Sequence, residues 1–330
     1  MTTPHALRWG ILAPGGIART FTKDLQLNGF AVTAVGSRSL ERSRAFAEEF
    51  GIERAHGSYE ELVADPEVDV VYVASPHSLH AAQATLALEA GKHVLVEKAF
   101  TVTEDEARAL VDLAAKRGLV VLEAMWTRYL PHMRRVREII ADATLGEIVA
   151  VTADHTQNIT VGPEHRMMDP HLGGGALLDL GIYPISFVVD VLGLPDRLTA
   201  TAQLTDTGVD AQVSAVFSYS SGAMATTFSS LRGAGPNQAS IIGTDARIDI
   251  DRVWYTATSF RTTTTAGDVL EEFTSEVNGR GMHYQALELE RLVAAGDLAG
   301  SILPPRESAD IMGLLDEVRR QIGVVYPSEF

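Results

Sequence analysis

Apolar residues in the first third of the chain fall in short runs, at 7–12, 31–38, 68–74, 93–97 and 119–123. Each is too short for a typical helix and apolar nearly throughout, as in a strand buried on both faces of a sheet. Between the runs the spacing turns helical. Ser58-Tyr59-Glu60-Glu61 and Thr103-Glu104-Asp105-Glu106 both fit the capping box, in which a hydroxyl and a carboxylate satisfy free N–H groups at a helix start. Residues 79–90 predict a helix, and Gly91 suits its C-terminal cap. Strands alternating with helices predict an α/β fold whose parallel sheet is covered on both faces.

Past Ala124 the texture changes. A helix is predicted over 131–141, followed by an apolar run at 148–154. Alternating segments rich in Thr and Ser then follow, among them 212–219, 223–229 and 247–251. These read as antiparallel strands with one face buried. The four threonines at 262–265 suit strand or turn, and helices return at 282–295 and 306–323. The pattern predicts two domains, 1–125 and 126–330, the second an α+β domain on a large open, mainly antiparallel sheet. No obvious helices cover that sheet's outer face, which predicts a homodimer or a dimer of dimers joined through it.

Composition narrows the partners. The chain has 330 residues, 46% of them hydrophobic, enough for a sizeable core. Its formal net charge is −16. That argues against nucleic acid and anionic membrane as partners, since both need a basic surface. No apolar run approaches the length of a membrane span. Residues 1–6 lack the charged and apolar regions of an export signal, so the expected location is cytoplasmic. The absence of cysteine excludes disulfides, iron–sulfur clusters and thiolate zinc sites.

Candidate chemistry begins at the first run. Leu7 to Leu12 leads into Ala13-Pro14-Gly15-Gly16-Ile17-Ala18 and then a helical pattern, the start of a dinucleotide-binding βαβ unit. Gly15 and Gly16 let backbone approach a pyrophosphate, while Ile17 and Ala18 open a helix with free N–H groups. Ala13 stands where the usual Gly-x-Gly pattern has its first glycine. A strand-turn-helix without ligand uses similar residues. The second run ends in Ser37-Arg38, with Arg42 one helical turn on. An NAD site usually has a carboxylate here; a guanidinium instead binds a 2′-phosphate, which favours NADP. Solvated surface charge is the other reading of Arg38 and Arg42.

Three further places combine polar groups with constrained backbone. Ser75-Pro76-His77-Ser78-Leu79-His80 follows a strand and should border the cofactor. His77 and His80 are spaced for chelation, but no third ligand accompanies them and no metal is expected; capping or packing is the alternative. Glu97-Lys98 ends another strand, where a lysine either enters the nicotinamide cleft or reaches solvent. Gly173-Gly174-Gly175 forms a flexible or tightly approached loop before a helical pattern bearing Asp179 and Tyr183 on one face. Pro184 is expected to break that helix near Gly181. Tyr183 reads as an acid/base or as a core tyrosine beside a capping aspartate.

As an ordered set these motifs, with Ala90-Gly91-Lys92-His93, Glu123-Ala124-Met125-Trp126-Thr127-Arg128 and Met282-His283-Tyr284, resemble the Gfo/Idh/MocA oxidoreductase family. The likeness is greatest to its dimeric dihydrodiol dehydrogenase and NADP-dependent D-xylose dehydrogenase branch. The resemblance implies a Rossmann domain, a sheet domain that often mediates dimerisation, and hydride transfer between NADP and a sugar, polyol or cyclic diol or ketone. It implies that Lys98 is the family's motif lysine, with Ala99 in place of the motif proline. Asp179 and Tyr183 become the acid/base pair, and Trp126 and Arg128 line the active site. Two other readings stand beside it: a sensor that kept the fold without turnover, and an enzyme that oxidises its sugar only transiently to allow elimination. Specificity is expected in loops such as 154–168.

Overall fold

The computed structural model describes residues 6–327; the reading of residues 1–5 and the end of the second predicted domain lie outside them. The five apolar runs are strands β1 (Arg8–Leu12), β2 (Ala31–Gly36), β4 (Val70–Val73), β5 (His93–Glu97) and β6 (Val121–Ala124), and a short further strand, β3 (Arg54–His56), was not read from the pattern. They alternate with helices α1 (Gly16–Leu27), α2 (Leu40–Phe50), α3 (Tyr59–Ala64), α4 (His80–Glu89) and α5 (Glu104–Arg117). All strand pairs are parallel, in the order β3-β2-β1-β4-β5-β6. The order reverses between β1 and β4, and ligands of such sheets sit at that switch point, beyond the carboxyl ends of the strands.

Both capping boxes form. Ser58 accepts from Glu61 N–H at 3.1 Å while Glu61 accepts from Gly57 N–H at 2.9 Å. Thr103 accepts from Glu106 N–H at 3.3 Å while Glu106 accepts from Val102 N–H at 3.0 Å. In each, the carboxylate reaches one residue further back than the cap itself.

The second sheet follows α6 (Pro131–Ala141). It comprises β7 (Ile148–Thr156), then, after α7 (Ile182–Leu192), β8 (Arg197–Leu204), β9 (Asp210–Ser218), β10 (Met224–Ser230), β11 (Ala239–Gly243), β12 (Ala246–Ile250), β13 (Ser259–Thr264) and β14 (Val269–Thr274). Its order is β14-β13-β12-β11-β7-β10-β9-β8, antiparallel except for the β7–β10 pair. Helices α8 (His283–Ala295) and α9 (Pro305–Ile322) close the chain.

Two expectations need correction. The chain divides into two units, but the boundary is not a single cut. The first unit runs to Trp126 and also takes back Asn278–Ala309, and the second holds Thr127–Val277 and the residues from Asp310 on. The returning segment is tied down by the buried Asp24 carboxylate, which accepts the Arg280 and Met282 N–H groups at 2.9 and 2.8 Å. Trp9 donates its indole N–H to Glu290 at 3.1 Å. The second correction concerns Pro170–Leu192, 23 residues with a window of mean hydropathy 1.7, long and apolar enough by composition to cross a membrane. Of that window 78% is buried inside the protein, the condition of a core helix.

Candidate active site

In the first unit, the turn after β1 is tied to both neighbouring strands. Ala13 N–H donates to Gly36 O at 3.1 Å, and Ala74 N–H donates to Leu12 O at 3.1 Å. The ends of β1, β2 and β4 therefore lie together, and with them Ala13, Ser37 and Ser75-Pro76. Ala13 takes φ +66, the left-handed conformation in which glycine is at ease. Gly15 caps α1 with no side-chain hydrogen bond, and the first turn carries no acidic residue. A Cβ built on Gly16 meets nothing within 4 Å, and one on Gly15 only the Ala13 carbonyl at 3.9 Å. Gly15, Gly16 and Ile17 are exposed, while Ala18 is buried beneath them. An open backbone cradle at an uncapped helix N-terminus is the form an anion site takes.

At the end of β2, Ser37 is buried and accepts from Ser39 N–H at 3.3 Å. Arg38 and Arg42 are exposed, and neither guanidinium forms an ion pair among the described residues. Two unneutralised guanidinium groups beside the cradle fit the 2′-phosphate of NADP.

The β4 and β5 ends carry the next candidates. His80 is fully buried, with its ring nitrogens 2.8 Å from Ala99 O and 2.9 Å from Ser75 O. Burial holds its pKa below the usual histidine value. It is an internal tie between the two strand ends. His77 is buried with its ring 5.6 Å from that of His80. Glu97 is buried and accepts hydrogen bonds from the Tyr72 hydroxyl and, at 3.3 Å, from Lys98 N–H. Lys98 itself is half-buried, and the Lys98–Ala99 peptide is cis. Trp126 is buried with the Arg280 guanidinium 5.5 Å over its ring.

In the second unit, the glycine triplet is closely approached rather than flexible. A Cβ on Gly174 falls 2.7 Å from Met167 O, and one on Gly175, at φ +110, falls 2.3 Å from an Asp210 oxygen. Asp210 also accepts the Leu177 N–H at 2.6 Å, capping the helical stretch that follows. Burial raises its pKa to about 6 against the lowering effect of those N–H groups. Pro184 does not break the helix. A π turn at Leu177–Gly181 precedes α7, and this wider turn accommodates the proline's missing N–H.

Asp179 sits in the π turn, 3.4 Å from the Arg166 guanidinium. Tyr183, in the first turn of α7, is 8% exposed. Its ring lies 4.9 Å from that of His155 and 5.3 Å from that of Tyr255. Arg128 is 2% exposed, paired with Asp190 at 3.1 Å, and donates to Ser186 O and Oγ, both at 3.2 Å. It braces α7 from within.

His155, Gln157, Tyr255 and Arg166 were not singled out from sequence. A signal existed for one of them: Val151-x-Ala153-x-His155 alternates with period two, which puts a polar ring on the core face of a strand. Nothing local marks Tyr255, brought in from the connection between β12 and β13.

Comparison with known proteins bears on both units. Residues 7–125 match the oxidoreductase family with an NAD-binding Rossmann fold, and residues 133–249 the GFO/IDH/MocA C-terminal domain. The chain is 36% identical to a D-xylose 1-dehydrogenase (NADP+) of Hypocrea jecorina, over 98% of this chain and 94% of that one. It is 35% identical to trans-1,2-dihydrobenzene-1,2-diol dehydrogenase of Bos taurus, over 98% and 99%. A 3-ketoreductase from Actinomadura kijaniata, solved with NADP and TDP-benzene, superposes with a TM-score of 0.85 at 28% identity, over 96% and 98%.

Proposed function

The chain belongs to the GFO/IDH/MocA oxidoreductase family, and from that premise we propose that it moves a hydride between NADP and a hydroxyl- or carbonyl-bearing carbon of a sugar, polyol or related cyclic diol. The observation that carries this reading is the likeness, along 98% of the chain, to dehydrogenases of a sugar and of a cyclic diol. The open cradle at Gly15 and Gly16 and the unneutralised Arg38 and Arg42 support NADP as the cofactor. Bound NADP supplies or accepts the hydride. The first-turn N–H groups of α1 hold the pyrophosphate, and Arg38 and Arg42 hold the 2′-phosphate. Tyr183 exchanges the proton with the substrate oxygen, Asp179, steadied by Arg166, orients the substrate, and Lys98 is the catalytic lysine of the first unit. A panel of aldoses, inositols and dicarbonyls assayed with NADP(H) and NAD(H) tests the reading. Turnover of at least one, with net change in NADPH and preference over NADH, is the expected result. Binding without turnover points to a sensor, and product without net NADPH points to transient oxidation.

The outer face of the second sheet supports assembly with a second copy of the chain. Ile242, Ala150 and Met224 lie side by side on β11, β7 and β10, with Phe228 and Val216 on the same face. Met224 is 49% and Phe228 41% exposed, so the face presents an apolar centre to solvent.

A further inference from the structure

β7 lies inside the second sheet, between β11 and β10. Its period of two turns Val151, Ala153 and His155 to the buried face, against which α7 packs. Two of these are ordinary core residues. The third is an imidazole 2% exposed, and its surroundings fix it on two sides. Its ring lies on Tyr255, with centroids 3.7 Å apart and planes 27° apart. The Gln157 amide nitrogen lies 3.0 Å from its Nε2. Tyr255 is pinned in turn. The Thr127 hydroxyl donates to its carbonyl at 2.6 Å, and the preceding Trp254 donates its indole N–H to Asp154 O at 2.6 Å. His155 then meets Tyr183 edge-on, at 4.9 Å and 78°. Contacts thus run unbroken from the sheet backbone through Tyr255 and His155 to the Tyr183 ring.

We propose that His155 is a positioning residue for the Tyr183 hydroxyl: its ring, held by Tyr255 and Gln157, sets the angle of the Tyr183 ring and so the place of the transferred proton. The inference rests on Tyr183 being the acid/base. A tyrosine hydroxyl stands at the end of two rotatable bonds, so a modest swing of the ring displaces it. A displacement of about 1 Å at a reacting group costs up to about 10²-fold in rate. The contact needs a flat ring at this place; it does not need the imidazole nitrogens.

Steady-state kinetics on a substrate that the wild type turns over decides it. His155→Ala is expected to lower kcat about 10–100-fold while KM and NADPH affinity change by less than about threefold. His155→Phe, which keeps a flat ring on Tyr255, is expected to hold kcat within about threefold of wild type. In a Tyr183→Phe background, His155→Ala is expected to cost nothing further, because the hydroxyl it positions is gone. Equal losses in both backgrounds, or a His155→Ala kcat near wild type, overturn the proposal. Should His155→Ala fail to fold, His155→Leu, with bulk but no flat ring, carries the same expectations. A Tyr183→Phe enzyme with wild-type kcat overturns the acid/base assignment itself, and this inference with it. That failure shows before any change at His155 and is therefore distinguishable.

Discussion

Arg38 and Arg128 are the same side chain put to opposite uses, and their neighbours decide which. Arg38 follows β2, exposed and without an ion pair among the described residues, so its charge is available to a ligand. Arg128 is buried against Asp190 and Ser186, so its charge is spent inside the second unit. Sequence cannot separate the two, because each is an arginine close to the end of an apolar strand. Arg38→Ala is expected to weaken NADP binding by about 1.5–3 kcal/mol, the scale of a charge-assisted hydrogen bond, and to leave NAD binding nearly unchanged. Titration with both cofactors checks this; equal weakening of the two would place Arg38 outside the 2′-phosphate site.

At the scale of elements, two buried groups in the second unit titrate in opposite directions. His132 on α6 is fully buried, with Nε2 3.1 Å from Trp254 O. Burial lowers its pKa to about 4. The fold favours neutral His132, so its contribution is complete above pH 6.5 and is lost as pH falls through about 4, on the order of 3 kcal/mol in all. Asp210, the β9 residue that caps the stretch carrying Asp179 and Tyr183, is raised to about 6. The fold favours its protonated form, so its contribution is complete below pH 3.8 and is lost as pH rises through about 6. The two effects partly cancel between pH 4 and 6. Melting temperature measured across that window is expected to fall more steeply on acidification in Asp210→Asn than in wild type, and less steeply in His132→Gln. Parallel curves for all three proteins would mean that neither group titrates in this range.

For the whole molecule, the apolar centre of the second sheet's outer face sets the expectation. A stable interface needs about 800 Å² from each partner, and an eight-stranded sheet with Met224, Phe228 and Ile242 exposed on it has the right character. Light scattering at micromolar concentration is expected to give at least twice the 35.5 kDa chain mass. Phe228→Asp, which sets a charge in the middle of that face, is expected to return the monomer. A wild-type monomer would remove the sheet face as an assembly surface.

Local pattern alone determined five of the six strands of the first sheet, both capping boxes, the glycine turn and the arginines after β2, because each is written within a few residues and depends on backbone geometry nearby; β3, three residues long, is too short to carry a period. It also placed Lys98 at a strand end, and Asp179 and Tyr183 one turn apart. Only the tertiary structure returned Asn278–Ala309 to the first unit through Asp24, since no local pattern records which distant carboxylate will cap a backbone turn. Only it turned His80 and Arg128 inward, closed the glycine triplet against Met167 and Asp210, and set His155 and Tyr255 against Tyr183. Burial and partner choice are properties of neighbours in space, and a chain read along its length shows only neighbours in sequence.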